Sequence, residues 1–436
     1  MSDRISLDGY LRRAKAAPAP PAEGRVHEIM GLLVGVAGLR AATGDRLEID
    51  VGAEKLPLEV LGFRDGRLLA APLGSTSGIE PGARVVRVPD GATAEVGDAL
   101  LGRVIDAFGR PLDDGPPPAC EDRVRLHRTP PPPFARRPIT QPLATGVRVL
   151  DALLPLGRGQ RVGLFAGTGV GKSTLLGMMC RRARADVVVV GLVGERGREV
   201  GDFVRGALGK EGLARSVVVA ATGDAPPLVR VQGALRATAI AEYFRDRGQD
   251  VLLVMDSVTR FAMALREASL AAGEPPVTKG YTPSVFAALP TLLERAGNAA
   301  HKGSITAVYT VLVEGDDLSD PISDAVRGIL DGHIVLSRGL ADRGLFPAVD
   351  VLKSVSRVIH DITTPEHRRS AAAVRELLGA HQEASDLLKI GAYVRGSDPR
   401  VDQAVASMPR IEALIRQELE EAAPREQSLA LLRSIA

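Results

Sequence analysis

Residues 164 to 176 read LFAGTGVGKSTLL. An apolar run gives way to Gly167, Gly169 and Gly171, then to Lys172 and Ser173, then to leucines. Such a succession asks for a strand, a tight loop and a helix in that order. A strand followed directly by a helix asks in turn for parallel neighbours, because the helix carries the chain back to the edge where the next strand begins. The surroundings agree. From about residue 140 to 340 the runs RVGLFAG, DVVVVGLVG, SVVVAAT, DVLLVMDS, SITAVYTVL and HIVLS alternate with longer helical segments. This predicts a parallel sheet covered by helices on both faces, with PPLVRVQGALRATAIAEYFRDRG as an amphipathic member of the covering layer.

The loop also dictates a chemistry. Gly167, Thr168, Gly169, Val170 and Gly171 can curl their backbone N–H groups around phosphate. Lys172 is expected against the β- and γ-phosphates, Ser173 on Mg²⁺, and Thr174 in the first turn of a helix whose positive end faces the same anion. The usual first glycine of this pattern is Ala166 here. A phosphate loop needs a second carboxylate at the end of a neighbouring strand. VLLVMDS provides Asp256, read as a holder of the magnesium's water shell or as a cap of the next helix. GLVGERGREV ends a strand with Glu195, then Arg196 and Glu199. Glu195 is read as a carboxylate that polarises water or as a first-turn helix residue favoured by the dipole.

Outside this region the pattern changes. Residues 25–93 hold short β-type runs separated by Gly, Asp and Pro, which predicts a small barrel. Residues 115–138 are Pro-rich and read as an extended connector. After about residue 364 only helical periodicity remains, which predicts an α-helical domain over 364–436. Residues 1–24 place Ile5, Leu7, Tyr10 and Leu11 among charges ahead of APAPPAEG, a tail that is either frayed or partner-binding. The expected class is α/β: a P-loop (RecA-like) core over 94–363 with a parallel sheet, between the barrel and the helical domain.

Composition removes other classes. The formal net charge is +2, and Phe63 is the one aromatic between residues 25 and 93. That argues against a basic, aromatic-studded groove, so no specific nucleic acid is expected and a hexameric translocase is a remote alternative. No run of 18 apolar residues occurs, and the first twenty residues lack the apolar stretch of a secretory signal. Two cysteines, Cys120 and Cys180, point to a reducing compartment, with Cys180 read as a small buried apolar residue. Seven histidines show no ligand spacing, so no structural metal is expected.

GERGREV, ITQPLATGVRVLDALLPLGRGQRVGLFAGTGVGKSTLL, GDALLGRVIDAFGRPLD and YTVLVEGDDLSDPISDAVRGILDGHIVLSR resemble the ATPase family that contains the catalytic subunits of rotary ATP synthases. GSITAVYTVLVEGDD and DGHIVLSR resemble its type III protein export branch, and IGAYVRGSDP resembles the flagellar members of that branch. A virulence-secretion ATPase and a rotary synthase subunit are the alternatives. The resemblance implies ATP as substrate with Mg²⁺, Lys172 and Ser173 as phosphate and metal ligands, and Glu195 as the residue that activates water. It implies Arg196 in the catalytic pocket, Arg357 of SVSR as an arginine finger reaching into the next subunit, and Phe346 of GLFPAVD stacked on adenine. The implied activity is hydrolysis that releases chaperones and promotes unfolding of export cargo. The implied partners are a stator-like regulator on the tail, a stalk protein in a ring pore, chaperone–cargo complexes and a membrane export gate, with the chain in the cytoplasm at the inner-membrane export apparatus. The resemblance implies that GEPPVTKGYTPSVF faces the pore, with Lys279 and Tyr281 against a stalk or cargo; a rigid subunit-contact loop is the alternative. One chain that carries both Glu195 and a finger can complete a site at every head-to-tail contact with itself, which predicts a homohexamer.

Overall fold

In the computed structural model, residues 23–52, 54–89, 91–313 and 319–436 are described. The expected tail lies outside the described residues as far as Ala22, and Glu23 and Gly24 already belong to the first strand. The chain forms two compact units that divide between Ala92 and Thr93.

The first unit is a closed barrel. Its strands are β1 (Glu23–Met30), β2 (Leu33–Ala37), β3 (Arg46–Val51), β4 (Glu54–Arg64), β5 (Arg67–Pro72) and β6 (Arg84–Arg87), in the order β1-β2-β5-β4-β3-β6. Alternation fills the interior: Val34, Val36, Leu47, Ile49, Leu58, Val60 and Val85 are completely buried. Closure leaves no free edge, which is how so small a sheet avoids pairing with other chains.

The second unit is built on a sheet whose main path runs β14-β13-β8-β12-β11-β9-β10-β7. These are β7 (Arg103–Asp106), β8 (Arg161–Ala166), β9 (Val187–Val193), β10 (Ser216–Ala221), β11 (Asp250–Asp256), β12 (Ser304–Leu312), β13 (Gly332–Leu336) and β14 (Val349–Ser356). All neighbours are parallel except β13 and β14. The central strands are apolar at every position because both faces are covered: all seven residues of β9 are buried. Two strands were not expected. β7 is short and enters from the segment before the Pro-rich stretch, and β14 runs against its neighbour, so neither fits a strand–helix alternation. The Pro-rich stretch itself contributes a four-residue strand, Asp122–Arg125, paired with Thr93–Val96.

The helix expected to be amphipathic, Pro227–Asp246, is instead buried all round from Leu228 to Arg245. One side packs on the sheet; the other is covered by the paired strands Thr93–Val96 and Asp122–Arg125 and by the helix Val258–Ala271. Its polar residues are satisfied inside. Arg236 Nε donates to the Ala107 carbonyl at 2.8 Å, and Glu242 is gripped by Arg295. The helices Pro365–Glu383, Pro399–Ile415 and Arg425–Ile435 follow the last strand, and Val374, Ile411 and Leu432 join the same buried core as Leu150, Leu176 and Leu345. Cys180 lies in that core, where burial pushes its thiol up to about 12. No helix among the described residues is long and apolar enough to cross a membrane.

Candidate functional site

Parallel strands end at one edge, and register decides what meets there. Leu192 of β9 pairs with Asp256 of β11, and Met255 pairs with Tyr309 of β12. Ala166, the last residue of β8, pairs with Leu312. The segments after Ala166 and Val193 and the side chain of Asp256 therefore converge at the carboxyl edge of the sheet, where an open α/β sheet binds its ligand.

Between Ala166 and the helix Lys172–Arg182, the loop turns through left-handed backbone at Gly169 (φ 77°) and Gly171 (φ 88°). A side chain is strained at both positions, and at Gly171 a Cβ would also lie 3.3 Å from the Phe346 ring. Thr168, Ser173 and Thr174 are exposed around the loop, while Val170 is buried beneath it. Phe346 is half-exposed directly beside the loop.

Lys172 is the centre of a charge cluster. Its Nζ donates to Asp256 Oδ1 at 2.6 Å and to Glu195 Oε1 at 3.3 Å. Thr310 Oγ1 donates to the same Asp256 oxygen at 2.6 Å. Asp256 is 3% exposed. It does not cap the helix Val258–Ala271; Ser257 does, accepting from the Arg260 N–H. Burial disfavours the Lys172 charge, but Asp256 and Glu195 outweigh it and hold its pKa above the ordinary value. Glu195 shows the opposite balance. Burial, then repulsion from Asp256, push it up to about 7 against the pull of Lys172, and a hydrogen bond with Glu199 favours its protonated form further. A carboxylate poised near neutrality beside a phosphate loop is suited to taking a proton from water.

Two groups were missing from the sequence reading. Thr310 lies mid-run in an apolar strand, and only the pairing of β12 with β11 brings it to Asp256. Arg260 follows Asp256 by four residues, packs its Cβ and Cγ against Gly194 just before Glu195, and has a buried Nε with no partner. Its spacing, one helical turn beyond a strand-end carboxylate, is a signal the sequence did contain. Arg196 stands apart from the cluster: it is exposed, its Nη1 3.3 Å from Glu199.

Arg357 is not at this edge. It is exposed just beyond β14, its N–H bonded to the Asp331 carbonyl, where β8 and β13 begin. Because β14 is antiparallel, Phe346 and Arg357 sit at its opposite ends. The eight residues of β14, which lies between them, span roughly 26 Å of extended chain.

The loop 273–286 departs from expectation at one residue. Tyr281 is 6% exposed, lies under the Arg266 guanidinium at 5.0 Å and meets Phe286 edge-on. Residues 275–280 of this loop are exposed, and among them Lys279 lies 3.3 Å from Asp320.

A strand, a glycine loop, Lys172, and two carboxylates in contact with its ammonium make a nucleotide site. The sequence profile of the ATP synthase alpha/beta family nucleotide-binding domain matches residues 146–356. That of the T3SS EscN ATPase C-terminal domain matches residues 363–434. The flagellum-specific ATP synthase of Pseudomonas aeruginosa is 51% identical over 98% of this chain and 96% of its own length. The chain belongs to the type III export branch of the ATP synthase alpha/beta family. Other members are similar over comparable lengths. The Salmonella typhimurium flagellum-specific ATP synthase is 51% identical over 98% of this chain and 96% of that one. The type 3 secretion system ATPase of Xanthomonas euvesicatoria is 47% identical over 94% of this chain and 93% of that one. Among solved structures, the assembled ATPase EscN of enteropathogenic E. coli superposes with a TM-score of 0.89 at 44% identity, over 94% of this chain and 99% of that one. EscN in complex with its central stalk EscO gives 0.87 at the same identity and coverage. The family hydrolyses ATP, and this export ATPase is an enzyme of that class.

Proposed function

We propose that this export ATPase works as a homohexameric ring that energises flagellar protein export, with sites completed in trans. The observation that carries the ring is the separation of Arg357 from the loop of its own subunit. An exposed guanidinium at the amino edge of the sheet can act on a nucleotide only in a neighbour, and a repeated head-to-tail contact closes into a ring. The roles follow from the geometry. The loop N–H groups and Lys172 hold the phosphates, and Phe346 holds the base. Glu195 orients water and accepts its proton; Arg357 of the next subunit meets the charge that develops on the transferred group.

The hydroxyl of Ser173 and the carboxylate of Asp256 are hard oxygen donors, which fits Mg²⁺ and not a softer metal. When bound there, the ion would supply positive charge against the phosphates. Arg196 is assigned to the pocket as a residue that swings inward from its exposed pairing with Glu199.

The flagellar assignment is supported by IGAYVRGSDP and by 51% identity to the Pseudomonas and Salmonella flagellar relatives against 47% to the Xanthomonas secretion ATPase. On this reading the ring sits in the cytoplasm at the inner-membrane export gate, releases chaperones and promotes unfolding of cargo. A stalk occupies its pore, and a stator-like partner binds the tail. The reading is tested by affinity purification from cells of the full chain and of a chain lacking residues 2–18. Flagellar export components should accompany the first, and the regulator alone should be lost from the second. Recovery of a membrane rotor and stator in their place would assign the chain to a synthase.

A further inference from the structure

Phe134 is the most exposed large apolar side chain in the described residues, with 104% relative exposure. It lies in TPPPPFARR, on a single 3₁₀ turn, Pro133–Ala135, entered from extended proline backbone. This segment is fastened down. Arg136 donates to the carbonyls of Pro131, Glu294 and Ala296, and Arg137 to those of Ala299 and Gly303. Arg136 also pairs with the Glu294 carboxylate at 3.1 Å. Prolines before the aromatic and five arginine–carbonyl bonds after it leave little backbone freedom to lose on binding. A rigid, fully exposed aromatic is the form an interface anchor takes.

Its position names the occupant. Glu294 also pairs with Arg161, the first residue of β8. Arg161 Nε is 3.0 Å from Asp331, whose carbonyl accepts the Arg357 N–H. Farther along the same segment, Ile139 and Val358 both crowd Gly157. Phe134 is thus tied to Arg357 by a short chain of contacts along the amino edge of the sheet. A neighbour whose nucleotide is reached by Arg357 must lie against that edge. We infer that Phe134 is an assembly anchor, buried against a second copy of this chain in the contact that brings Arg357 into its neighbour's site.

The inference rests on the ring reading, and the test separates the two. In the full chain, specific ATPase activity and sedimentation are followed against protein concentration for wild type and Phe134→Ala. Wild-type activity should rise with concentration as the chain assembles. The variant should need on the order of tenfold more protein for half-maximal activity, the loss expected of a central anchor, and reach the same plateau. Phe134 touches no core, so an unchanged melting temperature excludes misfolding. A benzoylphenylalanine at position 134 should photo-crosslink to a second copy and to nothing else at the same yield. If wild type assembles and Phe134→Ala assembles equally well, or the crosslink goes to another protein or to lipid, the anchor is refuted and the ring stands. If wild type neither assembles nor gains activity with concentration, the ring reading falls and takes the anchor with it.

Discussion

Lys172 is held by Asp256 across 2.6 Å, with the carboxylate almost wholly buried. The phosphate-binding cation is therefore neutralised from within the protein. Phosphates that took up this ammonium would replace one anionic partner by another, and Asp256 would keep the Thr310 hydroxyl.

This relationship separates the roles of the cluster. Lys172→Ala should weaken ATP binding strongly, because it removes the cation and leaves Asp256 and Glu195 facing the phosphates. Glu195→Gln should retain binding and lose turnover by about 10²-fold or more, the usual scale for a positioned base. Fluorescent nucleotide titration beside single-turnover hydrolysis checks both; equal losses of affinity would contradict the assignment.

The state of Glu195 sets a pH dependence. Its carboxyl, raised to about 7 by burial and by Asp256, accepts a proton from water only when ionised. As pH falls through 7 the active fraction shrinks, so kcat/KM should drop about tenfold per pH unit on the acid side and level off above 7.5 to 8, a limb that reports the free enzyme. The residual activity of Glu195→Gln should lack that limb. A flat wild-type profile between pH 6 and 8 would remove Glu195 from the base role.

Arg357→Ala alone should be slower by roughly 10³ to 10⁵, the scale of a finger supplied in trans. Mixing it with Glu195→Gln should restore activity. After subunit exchange at equal amounts, about a quarter of head-to-tail contacts combine an intact Glu195 with an intact Arg357. A mixture that exchanges subunits and stays inactive would move the search to Arg338, exposed at the carboxyl end of β13.

Stability has its own weak point. Arg295 and Glu242, each about 1% exposed, form a two-pronged pair at 2.7 and 3.0 Å. Glu242→Ala leaves a buried guanidinium without its counter-charge and should cost about 3–5 kcal/mol, read as a loss of denaturation midpoint. Glu242→Leu with Arg295→Met should recover most of it.

The residues legible in the sequence are those whose placement is local. The loop, Lys172, Glu195 and Asp256 each stand at the end of an apolar run, and a strand end fixes where its next side chain goes. Positions that depend on distant partners were not legible. Thr310 needs the β11–β12 register, and Tyr281 needs Arg266 and Phe286 around it. The helix Pro227–Asp246 shows why periodicity can mislead: its arginines and glutamate mark an outer stripe only until the paired strands 93–96 and 122–125 and Arg295 cover them. β14 was hidden for another reason, since an antiparallel edge strand follows a short helix and breaks the alternation that revealed the rest.

That strand has a mechanical meaning. It pairs with β13 towards both of its ends, Ser356 with Gly332 and Val349 with Leu336, and the register shifts between them. One end of the strand leads to Phe346, beside the subunit's own phosphate loop; the other leads to the Arg357 guanidinium, which the proposed ring offers to the next subunit. In such a ring each pocket would receive a guanidinium from one neighbour and give one to the other, so any signal passed along this strand would have a single rotational sense.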